Sequence, residues 1–91
     1  MVINEVKTMQ LFIIGLHMKG SKRKVFTINE FTVKDTIRSL KLTLSNKFNI
    51  PTAVFYLMHN GKILDDDKTL MGVQDEASIR AMFRSGSPID F

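Results

Sequence analysis

Residues 58–76 read MHNGKILDDDKTLMGVQDE and carry two competing signals. Asn60-Gly61 between apolar residues is a hairpin turn, because both central residues of a type I′ turn need positive φ and Asn-Gly supplies it. Asp65, Asp66 and Asp67 instead suggest a cation loop. On a calcium-loop template Asp65 falls at the first position, Asp67 at the third and Glu76 at the twelfth. The sixth position must be Gly for a sharp turn and is Leu70, the fifth is only Thr69, and no helix pair flanks the loop. The aspartates are therefore read as an acidic, exposed turn following a hairpin, and no metal site is expected. Leu70 and Val73 are the buried anchors of this loop.

Working outward, Phe55 and Leu57 alternate with Tyr56 and Met58 before the turn. After the loop, Ile79, Ala81 and Phe83 alternate with Arg80, Met82 and Arg84. Both runs have the period of strands. In residues 31–51, FTVKDTIRSLKLTLSNKFNIP, Val33, Ile37, Leu40, Leu44 and Phe48 recur every three or four residues and so share one helical face. Thr32 and Thr36 are both candidate N-caps. Asp35, three residues after Thr32, is a shortened relative of the capping-box acid, and Asn49 and Pro51 mark the end. Met9, Leu11 and Ile13 alternate with Gln10, Phe12 and Ile14, a strand whose two faces are both at least partly covered, with Phe12 and Ile14 as an outward pair that forms a smaller patch or is covered by residues 1–8. Gly15, Gly20 and Ser21 place a loop over residues 15–24, and a second strand follows with Phe26 and Ile28 on one side. The order is strand, strand, helix, strand, short strand, strand.

The chain has 91 residues, 44% apolar and 24% charged, which suits one ordered domain with a single core. Residues 1–8 read as an N-terminal extension, 9–84 as the domain and 85–91 as a tail or linker. With no cysteine there is neither a disulfide nor a Cys-based zinc site. Leu11–Ile14 with Leu16 is too short for a membrane span or a signal-peptide core, so a soluble cytoplasmic or nuclear protein is expected. The net charge is +4, and Lys19, Lys22, Arg23 and Lys24 cluster in KGSKRK. Such a cluster attracts phosphate or acidic surfaces, but no aromatic side chains interleave with it, so nucleic acid is the secondary reading. His17 and His59 have no nucleophile motif or phosphate loop beside them, and no enzyme activity or cofactor is expected.

MQLFI at 9–13, DTI opening the helix, NIP at 49–51, GKIL at 61–64, KTL at 68–70 and SIRAMFR at 78–84 together resemble the ubiquitin family, in order and at nearly its spacing. The resemblance covers residues 9–84 and implies an α+β fold, the β-grasp: a mixed sheet of four to five strands wrapped around one helix. It implies that the first and last strands lie side by side and parallel. The first loop is longer and more basic than the family's, and the segment from Leu70 to Ile79 is about two residues shorter.

Relatives of this kind act as covalent modifiers activated at a C-terminal Gly-Gly or as domains that dock partners. Here the end reads FRSGSPIDF. Arg84 matches the arginine that begins the family's tail, but a diglycine is absent, which leaves a single-glycine modifier processed after Gly86 as the alternative to docking. Strand parity turns Tyr56, Met58, Arg80, Met82 and Arg84 away from the helix. By resemblance, Met58 and Met82 replace two of the three apolar residues of the family's recognition patch, with Leu16 or Met18 from the first loop as the third. Lys62 matches a lysine the family uses for chain linkage, a role that a surface lysine after Asn-Gly does not require. The expectation is a monomeric, non-conjugated docking domain whose partners are other proteins, with receptors of the ubiquitin pathway or proteasome type as the implied class.

Overall fold

The computed structural model describes residues 8–16 and 23–85. Strands β1 (Met9–Leu16) and β2 (Arg23–Phe31) are followed by helix α1 (Ile37–Phe48), β3 (Phe55–His59), β4 (Lys62–Ile63) and β5 (Ala77–Phe83). Single 3₁₀ turns at Thr52–Val54 and Leu70–Gly72 join them. The strands form one mixed sheet in the order β2-β1-β5-β3-β4, with β1 and β5 parallel and the other pairs antiparallel. This is the β-grasp arrangement.

Alternation sorts the side chains. Leu11 and Ile13 from β1, Leu57 from β3 and Ile79 from β5 are completely buried, and Ile37, Leu40 and Leu44 of α1 join them in the core. Leu70 and Val73 close the core beneath the 3₁₀ turn, as their apolar character in a polar loop suggested. In β2, Ile28 and Phe31 are both buried although three residues apart. The ladder accommodates this with an irregularity: Met9 pairs with Phe31 and Leu11 with Ile28, so an extra residue of β2 reverses its parity.

The turn at 60–61 forms as read, with Asn60 at φ 52° and Gly61 at φ 76°. The acidic stretch after it has a structural task. The first backbone N–H groups of an α-helix lack partners within the helix. Here Ile37 N–H donates to Lys68 O at 2.9 Å and Arg38 N–H to Asp66 O at 3.2 Å, while Ser39 N–H donates to Thr36 Oγ1 at 3.2 Å. The loop thus lies across the helix N-terminus, where negative side chains also complement the helix dipole. Asp66 pairs with Lys41 at 3.2 Å, Asp67 with Arg38 at 2.7 Å, and Asp65 accepts from Asp67 N–H at 3.0 Å. Lys41 is the buried exception on α1, 3% exposed, with its ammonium 5.4 Å from the Phe55 ring centroid.

Three expectations need correction. The helix starts at Ile37 with Thr36 as its cap, and Val33, placed on the helical face by its spacing, sits before the helix and is 37% exposed. The Thr32–Asp35 pair makes one of the two bonds of a capping box, Thr32 N–H donating to Asp35 Oδ2 at 2.8 Å. Asp35 N–H, however, donates back to Thr32 O, which closes a separate turn one step ahead of the helix. The first loop is also shorter than the span 15–24: the β1–β2 ladder continues through Gly15↔Lys24 to Leu16↔Arg23. Two residues of the basic cluster therefore belong to a strand. Finally, Tyr56, Met58 and Met82 are half-buried rather than freely exposed, because cross-strand neighbours on a pleated sheet cover one another's flanks.

Candidate functional site

The face of the sheet turned away from α1 is built by the alternate residues of the same strands that fill the core. On β3 and β5, Tyr56 stands opposite Met82 and Met58 opposite Arg80. Directly opposed side chains on one face have Cβ atoms about 5 Å apart, so these four form one contiguous group. Met58, Arg80 and Met82 line a groove together with Gly61, where an added Cβ would meet nothing within 4 Å.

The group extends in both directions. Met58 also pairs with Ile63 of β4, which is 64% exposed. On the other side Arg80 pairs with Ile14, and Ile14 with Val25 of β2, which is 49% exposed. Val25, Ile14, Arg80, Met58 and Ile63 therefore form a row across all five strands. Ile63 is not among the patch residues expected from the sequence, yet the signal is there: a two-residue turn at 60–61 sets His59 against Lys62 and Met58 against Ile63.

Arg84 lies just beyond β5. Its Nε donates to Ala53 O at 2.8 Å and its N–H to Val54 O at 2.9 Å, so the end of β5 is fastened to the 3₁₀ turn before β3. Arg80 is exposed and forms no ion pair among the described residues. Of the other patch residues, Leu16 ends β1 but its side chain falls outside what is described, as does all of Met18. In the basic cluster Lys19 and Lys22 lie outside the described residues, Arg23 opens β2, and the Lys24 ammonium sits 5.1 Å from the Phe26 ring centroid. Gly86 and His17 also lie outside them. His59 ends β3, where its Nδ1–H donates to Ser78 O at 3.3 Å.

A parallel pairing of first and last strands, one helix in the concavity and an Asn-Gly hairpin ahead of the loop that caps the helix are now all in place. Residues 16–86 match the model of the ubiquitin family, most of the chain. The chain belongs to the ubiquitin family. No curated protein matches it. The family match begins at Leu16, the last residue of β1, so the greater part of that strand is placed in the ubiquitin-like fold by its parallel register, Leu11↔Ala77 through Ile14↔Arg80. Among the described residues of this ubiquitin-like domain, no helix is long and apolar enough to cross a membrane.

Proposed function

We propose that this ubiquitin-like domain is a non-conjugated docking module that binds partner proteins through the outer face of its sheet. The observation carrying this reading is the placement of Tyr56, Met58, Met82 and Ile63 together on a face that meets solvent. A contiguous apolar surface of this kind marks an interaction site more often than isolated exposed apolar residues do. Methionine suits the task because its unbranched, polarizable side chain repacks against different apolar partners. Arg80 and Arg84 provide charge at the patch for acidic residues of a partner, which favours orientation and association rate. By family likeness, receptors of the ubiquitin pathway or proteasome type are the class to try first, in cytoplasm or nucleus.

The test is a titration of wild type and Met58→Glu against partners recovered from cell extract, with melting curves alongside. Met58 points away from the core, so the variant should melt like wild type. Its carboxylate, opposite Arg80, puts a desolvated charge into any apolar contact and cancels the cation offered to the partner, so binding should fall at least tenfold, about 1.4 kcal/mol. Equal binding by both proteins removes the sheet face as the site. Raising salt separates this surface from the Lys19–Lys24 cluster, since phosphate-driven binding falls steeply with salt and apolar docking changes little. Mass spectrometry of the native protein addresses conjugation: a mature form ending at Gly86 and attached to other proteins would replace docking with a modifier role.

A further inference from the structure

We propose that Met58 and Met82 form an oxidation site, and that conversion of their thioethers to sulfoxides by hydrogen peroxide turns the docking face off reversibly. This rests on the docking reading and adds its regulation. The chain has six methionines and no cysteine, so its reversible chemistry with peroxide falls to thioether sulfur. Met1 and Met18 lie outside the described residues, and the other four sit in three settings. Met9 is 5% exposed in the core, Met71 is 73% exposed on the second 3₁₀ turn, and Met58 and Met82 line the outer groove with Gly61 and Arg80.

Position and chemistry single out the groove pair. Met58 stands opposite Arg80 and Tyr56 opposite Met82, so the two methionines are diagonal neighbours across β3 and β5, within reach of each other's long side chains. The groove offers about 480 Å³, ample for a peroxide molecule little larger than water. The sulfur lone pair attacks one peroxide oxygen, and the O–O bond breaks as the S–O bond forms. The departing hydroxide takes the proton of the transferred oxygen and leaves as water. At each methionine sulfur is oxidised by two electrons and hydrogen peroxide is reduced to water. The product replaces a flexible apolar contact with a polar one. Its oxygen is a hydrogen-bond acceptor one strand away from the Arg80 guanidinium, which carries five N–H donors and has no ion pair among the described residues. Oxidation thus acts twice on one surface: an apolar partner must desolvate the sulfoxide, and Arg80 turns from the partner's acid to the new oxygen.

The test treats the full chain with hydrogen peroxide in increasing doses and locates the added oxygen by peptide mass spectrometry. Each sample then enters the same titration against cell-extract partners that is used for Met58→Glu. Met71 should oxidise first, with no change in binding. Met58 and Met82 should follow while the melting curve still shows a folded domain, and affinity should then fall tenfold or more. Met9 should react only on unfolding. Methionine sulfoxide reductases for both sulfoxide epimers should restore the affinity. Met71→Leu should respond to peroxide as wild type does, whereas the double variant Met58→Leu, Met82→Leu should hold whatever affinity it starts with through the same doses. In isotope-labelled wild type the Arg80 Nε–H signal should move on oxidation, and in the double variant it should stay. Sulfoxides on Met58 and Met82 that leave affinity unchanged overturn the proposal, as does a pair that resists peroxide until the domain unfolds. Failure of docking itself is read separately, from unchanged binding of Met58→Glu before any peroxide is added.

Discussion

The two faces of the sheet are made by neighbouring residues of the same strands, and both carry apolar side chains. On β3, Leu57 is fully buried under the helix while Met58, one residue on, is half-buried on the open side. On β5, Ile79 is buried while Arg80 is exposed. The inner face uses branched aliphatic residues that lock into single packings, and the outer face uses Met, Tyr and Arg, which adapt to or pair with whatever covers them. Alternation alone gives each strand two jobs. Inner residues should be read out as stability and outer residues as binding.

Substitutions can break that contrast, and the largest effect belongs to the inner face. Leu40→Ala, at a position with no exposure, should cost about 2–5 kcal/mol in a denaturant melt, a large share of the stability of so small a domain. A cost near zero would mean the helix is not seated as described. Asp66→Ala comes next, because it strands the buried Lys41 ammonium without its partner. We expect a loss of about 2 kcal/mol, below the usual range for a broken buried pair since Asp66 is 40% exposed. Lys41→Met should be close to neutral, as replacing a buried charge by an apolar side chain of similar length removes the need for a partner. If the Met variant is the less stable of the two, the pair itself holds the loop on the helix. Thr36→Ala removes the cap to Ser39 N–H and should cost about 1 kcal/mol, whereas Thr32→Ala should cost less, since Thr32 stands outside the helix. Met58→Glu should shift stability least, by about 0.5 kcal/mol or less.

Much of the inner face was legible in the sequence because period-two alternation and the Asn-Gly turn are local signals. What escaped required knowledge of distant segments. Val33 falls on the helical period, but Thr32 and Asp35 satisfy each other in a turn and delay the helix until Thr36. Phe31 breaks the parity of β2, and only its pairing with Met9 reveals the bulge. Lys41 is charged and so reads as a solvent-facing residue, until Asp66 and the Phe55 ring are brought to it by the fold. The aspartates looked like a free acidic turn, and their bonds to α1 arise only when the loop is laid over the helix N-terminus. Ile63 differs from these: the hairpin register carried it, so it was derivable by counting back from the turn. Tyr56, Met58, Arg80 and Met82 were found by parity and are neighbours in space, whereas the basic cluster is split between β2 and residues outside those described.

The central claim is that adjacent residues of β3 serve different ends, and a crossed pair of variants tests it most directly. Leu57→Ala and Met58→Glu are each measured for melting temperature and, below that temperature, for affinity to the same cellular partner. Leu57→Ala should lose several degrees or more of melting temperature yet bind like wild type once folded, and Met58→Glu should melt like wild type yet bind at least tenfold more weakly. If Met58→Glu instead melts early, or if it binds unchanged, the outer face is not the docking surface.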